Sequence, residues 1–76
     1  MNRKLLDTVV LVKDLPEHGL KAGDIGVVVE TYDPDGIEVE FVAGSGKTRA
    51  LLTLKADDVR TISDSDILAV RRSDAA

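Results

Sequence analysis

The feature that most constrains this fold is a strict alternation of apolar and charged side chains in a chain of only 76 residues. Residues 37–41 read Ile-Glu-Val-Glu-Phe, so every second side chain is apolar. Successive side chains of a β-strand point to opposite faces, and this spacing therefore predicts a strand with one buried and one solvated face. A chain of this length has room for one domain, whose core must be built largely from such strands.

Four further segments have the composition of strands, because they are rich in β-branched and other aliphatic residues. They are residues 8–12, 25–32, 47–54 and 60–62. We expect the fourth strand to pair with the alternating third strand, so that the apolar side chains of both face the core. The side chains concerned are Ala50, Leu52 and Leu54, opposite Ile37, Val39 and Phe41.

Glycine and proline mark the connections between these strands. Residues 15–24 contain one proline and two glycines and predict a long ordered loop. Residues 33–36 predict a tight turn in which Gly36 takes the left-handed conformation. A second turn is predicted at residues 43–46, and a single 3₁₀ turn at residues 55–59.

This order of elements predicts an all-β fold of the SH3-like type, a small five-stranded barrel with one 3₁₀ turn. Gly26 indicates a bulge or the close approach of another backbone within the bending second strand. We expect one domain over residues 1–72 and a disordered tail at residues 73–76. Residues 63–72 are ambiguous, because Ser63 and Asp66 resemble a capping box for a short helix while the following apolar residues fit an extra edge strand; we favour the strand.

Composition limits the function classes. The chain has no cysteine, which excludes disulfides and thiolate chemistry and fits a reducing, cytoplasmic location. No apolar run is long enough for a signal peptide or a membrane span. The formal net charge of −4 disfavours nucleic acid as a partner, because affinity for polyphosphates depends on lysine and arginine.

Residues 14–28 read Asp-Leu-Pro-Glu-His-Gly-Leu-Lys-Ala-Gly-Asp-Ile-Gly-Val-Val. With residues 38–41 and 54–60, this string resembles the small bacterial family catalogued as domain of unknown function 4926, over residues 7–71. The resemblance implies a compact SH3-like domain, bacterial or archaeal, with no assigned activity and hence no catalytic residues to transfer. The spacing of Leu20, Gly23, Gly26 and Val28 is distantly similar to KOW-type modules, and the fold to SH3-like domains of nitrile hydratase β subunits.

Two segments resemble reactive sites on first inspection. Residues 44–48 read Gly-Ser-Gly-Lys-Thr, but a phosphate-binding loop needs glycine where Phe41 stands. His18 lies beside Glu17, yet a metal site needs three or four converging ligands, and we expect the His18 ring to hydrogen-bond its own loop instead. No second base is available to orient a serine nucleophile. We therefore predict no catalytic, cofactor-binding or metal-binding residue, and a protein that is not an enzyme.

The remaining interpretation is a non-catalytic protein-interaction or accessory module of a larger bacterial assembly, with an unidentified protein partner. The expected contact surface comprises Leu15, Pro16, Glu17, His18, Tyr32 and Arg49. Two alternatives stay open: a KOW-like RNA- or ribosome-associated module that uses Lys47 and Arg49, and a regulatory subunit of a metalloenzyme. A homodimer through an edge strand or through residues 63–72 also stays open.

Overall fold

A computed structural model describes residues 4–72, and it confirms the all-β class with five strands. The strands are β1 (Thr8–Leu11), β2 (Ile25–Tyr32), β3 (Gly36–Val42), β4 (Thr48–Lys55) and β5 (Val59–Thr61). All pairs are antiparallel, and the strands form one sheet in the order β4-β3-β2-β1-β5. Residues 4–72 include no helix long and apolar enough to cross a membrane.

The sheet is not closed into a barrel, in contrast to our expectation. Its order leaves β4 and β5 as the two edges, and no ladder joins these strands within residues 4–72. β5 is only three residues long, and all three residues pair with β1. It does not extend far enough to form a second ladder with β4. The loop after β1 instead covers the open side with Leu20, which is buried, and Leu15, which packs against the core.

The predicted pairing of β3 with β4 through their core-facing residues is confirmed. In the observed register Ile37 lies opposite Leu54, Val39 opposite Leu52, and Phe41 opposite Ala50. The three residues of β3 are buried, whereas the three of β4 are half-buried because β4 is an edge strand. The core is aliphatic apart from one ring and comprises Val9, Leu11, Leu20, Val28, Ile37, Val39, Phe41 and Val59.

The two faces of β2 differ from the pattern in the sequence. Simple alternation places Val28 and Glu30 on one face, but the pairing with β3 shifts between these two residues. A bulge adds one unpaired residue, so the face of each later side chain is reversed. As a result Val28 is fully buried and Glu30 is exposed. The close approach of another backbone expected at Gly26 is confirmed, since a Cβ there would lie 3.1 Å from the Glu40 carbonyl oxygen as well as 2.6 Å from Cγ1 of Val39.

The connections contain two 3₁₀ turns rather than one. Ala56–Asp58 forms the predicted turn, and Pro16–His18 forms a second turn inside the long loop. Gly36 is the first residue of β3 and does not have the left-handed conformation that we expected; the Asp33–Pro34 peptide bond in this turn is cis. The role of Gly36 is steric instead, because a Cβ would lie 3.3 Å from the side chain of Tyr32.

Residues 63–72 form neither the extra strand that we favoured nor the alternative helix. One of the two capping-box contacts is nevertheless present, since the Ser63 N–H donates to the Asp66 carboxylate at 2.7 Å, whereas the Asp66 N–H donates to the Ser63 backbone carbonyl at 3.1 Å rather than to the Ser63 hydroxyl. Side chains attach this segment to β5 through Asp66 and to the loop after β1 through Arg71, and its backbone forms no ladder. The tail predicted at residues 73–76 lies outside the described residues.

Candidate functional site

The loop after β1 owes its shape to backbone hydrogen bonds. Leu15 and Leu20 exchange two of them, at 2.9 and 3.1 Å, and the Gly19 N–H donates to the Pro16 carbonyl at 3.1 Å. Gly19 has φ +69°, which suits glycine and ends the 3₁₀ turn. The ring of His18 makes no hydrogen bond with any residue in 4–72, so our expectation that this ring holds the loop was wrong.

A groove of about 600 Å³ lies where this loop meets one end of the sheet. We call it the arginine groove, because Arg49, Arg71 and Arg72 line it together with Asp24. The loop, the start of β2, the end of β3 and the start of β4 all contribute to it. Leu20 and Phe41 form its apolar floor, and both are almost fully buried. Its volume lies within the range of protein ligand pockets.

Arg71 joins residues 63–72 to the loop. Its guanidinium donates to both carboxylate oxygens of Asp24, at 2.8 and 2.6 Å, and to the Gly19 carbonyl at 3.0 Å. Bidentate pairs of this type are stronger than ordinary hydrogen bonds and fix the orientation of both partners. The Arg71 hydrogen bonds lower the pKa of Asp24, which therefore stays charged in the groove.

Arg49 lies on the other side of Gly19. A Cβ on Gly19 would come within 2.5 Å of the Arg49 guanidinium, so this side chain packs directly on the glycine. Two guanidinium groups therefore meet at one residue of the loop. Within residues 4–72, neither Arg49 nor Arg72 forms an ion pair or a side-chain hydrogen bond as donor, and Asp24 balances only Arg71. The arginine groove consequently carries an excess of positive charge.

The structure separates the surface predicted from the sequence into three places. Leu15, Glu17 and His18 line a second, smaller groove together with residues of β4. Pro16 opens the exposed 3₁₀ turn between them, and Arg49 belongs to the arginine groove. Tyr32 is apart from both.

Tyr32 lies at the far end of the sheet from Arg49. It pairs with Gly36, which in turn pairs with Lys55 at the end of β4, whereas Arg49 is near the start of β4. Its hydroxyl donates to the Glu38 carboxylate at 3.3 Å, on the acidic outer face of the sheet. Tyr32 follows the loop by only eight residues in the sequence. These residues form the whole length of β2, which places Tyr32 at the end of the strand remote from the loop.

Residues 63–72 form a segment that we call the strap. At one end Asp66 accepts two hydrogen bonds from the guanidinium of Arg60, at 2.8 and 3.0 Å, and at the other end Arg71 holds Asp24. Between these attachments Ile67, Leu68 and Val70 are 92%, 68% and 99% exposed. Two ion pairs thus hold the strap in place, while its apolar side chains face solvent.

Acid should release the strap only at a pH far below neutral. The Arg60 guanidinium, and after it the Ser63 N–H, hold the pKa of Asp66 well below its ordinary 3.8. A depressed folded-state pKa means that the contact is fully present above the unfolded value and is lost as the pH falls through the folded one. We expect the carboxyl ¹³C signal of Asp66 to titrate with a midpoint well below 3.8, and R60Q to move that midpoint upward. A midpoint at or above 3.8 in the native protein would contradict this ion pair.

A protein-family model matches residues 5–61, and its description is "Domain of unknown function (DUF4926)". The chain belongs to this family. The DUF4926 match covers all five strands and ends with the last residue of β5, so the strap lies beyond the matched residues. No curated protein and no solved structure matches the chain. The family description assigns no activity to DUF4926 domains, and the site has to be interpreted from its own chemistry.

The sequence indicated only part of the arginine groove of this DUF4926 domain. It pointed to Arg49, whereas Arg71 and Arg72 lie in the ambiguous segment 63–72 and Asp24 lies at the end of the predicted loop. Asp24 and Arg71 are 47 positions apart, and no local spacing reveals such a pair. Within residues 4–72, no three histidine, cysteine, aspartate or glutamate side chains lie together in a way that could hold a metal ion. The features that distinguish the site are therefore its charge and its apolar floor.

Proposed function

We propose that this domain is a non-catalytic protein-binding module, and that the arginine groove holds an extended acidic segment of its partner. One observation carries the proposal: the guanidinium groups of Arg49 and Arg72 are unpaired within residues 4–72 and stand beside an apolar floor. The chain as a whole has a net charge of −4, so this local positive charge is opposite in sign to that of the protein.

Carboxylates are the groups that such a groove suits best. A guanidinium presents a planar set of donors that matches the two oxygens of a carboxylate, as the Arg71–Asp24 pair in this groove illustrates. The half-exposed Val42 and the neighbouring Ala43 offer apolar contacts beside the charges. An extended segment that alternates acidic and apolar side chains would use both kinds of contact at once.

The same groove suits a nucleic acid less well. Single-stranded nucleic acids stack their bases on exposed aromatic rings. The only ring in the groove belongs to Phe41, which is 2% exposed, and Tyr32 lies at the other end of the sheet. The carboxylates of Glu30, Glu38 and Glu40 lie on the outer face of the sheet and would repel a phosphate backbone.

The proposal predicts that R49E weakens binding of an acidic peptide. We suggest a fluorescein-labelled peptide of alternating glutamate and leucine, measured by fluorescence anisotropy at low and moderate salt. Loss of a charge-assisted hydrogen bond costs about 1.5–3 kcal/mol, which raises the dissociation constant by roughly tenfold or more. K47E is the matched control, because Lys47 is an exposed side chain outside the groove and the two variants have the same net charge.

Three results would contradict the proposal. Absence of peptide binding by the native chain would exclude this class of ligand. Equal weakening by K47E and R49E would mean that net charge, and not the groove, governs binding. The KOW-like alternative would be favoured if the native chain bound a structured RNA in a salt-sensitive manner, if R49E abolished that binding, and if the peptide did not bind.

A further inference from the structure

We propose that the strap of one copy of the chain adds as an antiparallel strand to the free edge of β4 in a second copy, and that two such contacts form a symmetric dimer. The observations concern the strap and the edge of the sheet, and the inference does not depend on what the arginine groove binds.

The strap has the properties of a donor strand. The backbone of residues 67–70 forms no hydrogen bond with any other residue in 4–72. Its side chains Ile67, Leu68 and Val70 are among the most exposed aliphatic groups that the structure describes. Because Asp66 and Arg71 already hold both ends, much of the entropy of ordering this segment is lost before any partner arrives.

β4 has the properties of an acceptor. It is eight residues long and lies at the edge of the sheet, so the polar backbone groups of one side lack a strand partner. Residues 50–54 read Ala-Leu-Leu-Thr-Leu and contain no charge or proline, the usual devices that protect an edge strand. Leu51 is 52% exposed on the outer face, and Leu52 and Leu54 are only half-buried on the inner face.

The two segments are complementary in one antiparallel register. Directly opposite residues of an antiparallel pair lie on the same face of the sheet. With Leu68 opposite Leu51, the apolar neighbours also pair on the inner face and the charges at the end of the ladder attract. The resulting pairs are Ile67 with Leu52, Ala69 with Ala50, and Asp64 with Lys55.

A second copy is the occupant that satisfies both segments. In its own chain the strap forms no backbone hydrogen bond to β4, because Arg71 attaches it to Asp24 and Gly19 instead. Each chain carries one donor and one acceptor, so a two-fold axis brings both into contact at once and gives two ladders per dimer. Addition of a strand to an exposed edge is a common mode of recognition.

The test is the mass of the protein in solution, measured by sedimentation velocity and by light scattering over a wide range of concentration. We expect a monomer–dimer equilibrium for the native chain. L68D in the strap and L51D in β4 should each raise the dimer dissociation constant by roughly tenfold, because each substitution removes the apolar Leu68–Leu51 cross-strand contact from both ladders. L5D is the control, because Leu5 is 56% exposed and belongs to neither segment.

Mixing the two variants separates this arrangement from others. The L51D chain keeps an intact strap and the L68D chain keeps an intact β4, so an equimolar mixture should regain association through one ladder. Pairing of β4 with β4 would leave L68D dimeric, and pairing of strap with strap would leave L51D dimeric; either result would overturn the proposal. A native chain that stays monomeric at the highest concentration would overturn it as well, and circular dichroism checks that each variant is folded.

Discussion

G26A is expected to lower the free energy of unfolding by about 2 kcal/mol, which corresponds to a fall in melting temperature of roughly 10 °C for a domain of this size. The added Cβ would lie 2.6 Å from Cγ1 of Val39, 3.0 Å from the ring of Phe41 and 3.1 Å from the Glu40 carbonyl. Val39 is fully buried in the core and the Glu40 carbonyl belongs to the paired backbone of β3, so neither can give way without disturbing the packing of the sheet. Urea titration and thermal unfolding followed by circular dichroism measure the change.

G44A is the matched control for this prediction. Gly44 lies in the turn between β3 and β4, its φ is not in the left-handed region, and an added Cβ would meet no atom within 4 Å. A substitution of this type changes stability by less than about 1 kcal/mol and often raises it, because the unfolded chain loses freedom. Equal unfolding midpoints for the two variants would contradict the close packing of β2 against β3 at Gly26.

The sequence predicts those parts of the fold that depend on local pattern. The alternation in residues 37–41 identified β3, and it fixed the register with β4 because both strands place an apolar residue at every second position. The bulge after Val28 was not predictable in the same way, because nothing in three consecutive valines marks which one is left unpaired. Closure of the sheet depends on whether β4 finds a partner, which is a property of the whole chain.

The candidate site was less predictable than the fold, and the reason is the distance along the chain between its members. Arg49 follows a glycine-rich turn and could be suspected from its surroundings, whereas Asp24 and Arg71 meet only after the sheet has formed. His18 drew attention because it is the only histidine, yet the loop is held by backbone groups of Leu15 and Leu20. The single histidine was therefore a poor guide to the arginine groove, which consists of residue types that are common in the chain.

Core and strap have separate sources of stability. The core residues belong to β1, β2, β3, β5 and the loop after β1, β4 packs against them with half-buried side chains, and none of the core residues lies in the strap. The strap is held by exposed or half-exposed ion pairs, which contribute little to global stability. Substitutions in the strap should therefore alter association without unfolding the domain, and this separation makes the dimer proposal testable by mutation.

L11A is expected to cost about 3–5 kcal/mol of unfolding free energy, a large share of the stability of a domain this small. Leu11 is 1% exposed and lies opposite Val59 where β1 pairs with β5. Removing its side chain leaves a cavity between the shortest strand and the loop that covers the open side of the sheet. L5A removes the same atoms from a leucine that is 56% exposed, and it should cost less than about 1 kcal/mol. If urea unfolding gave the two variants similar midpoints, the loop and β5 would not enclose a core at this position.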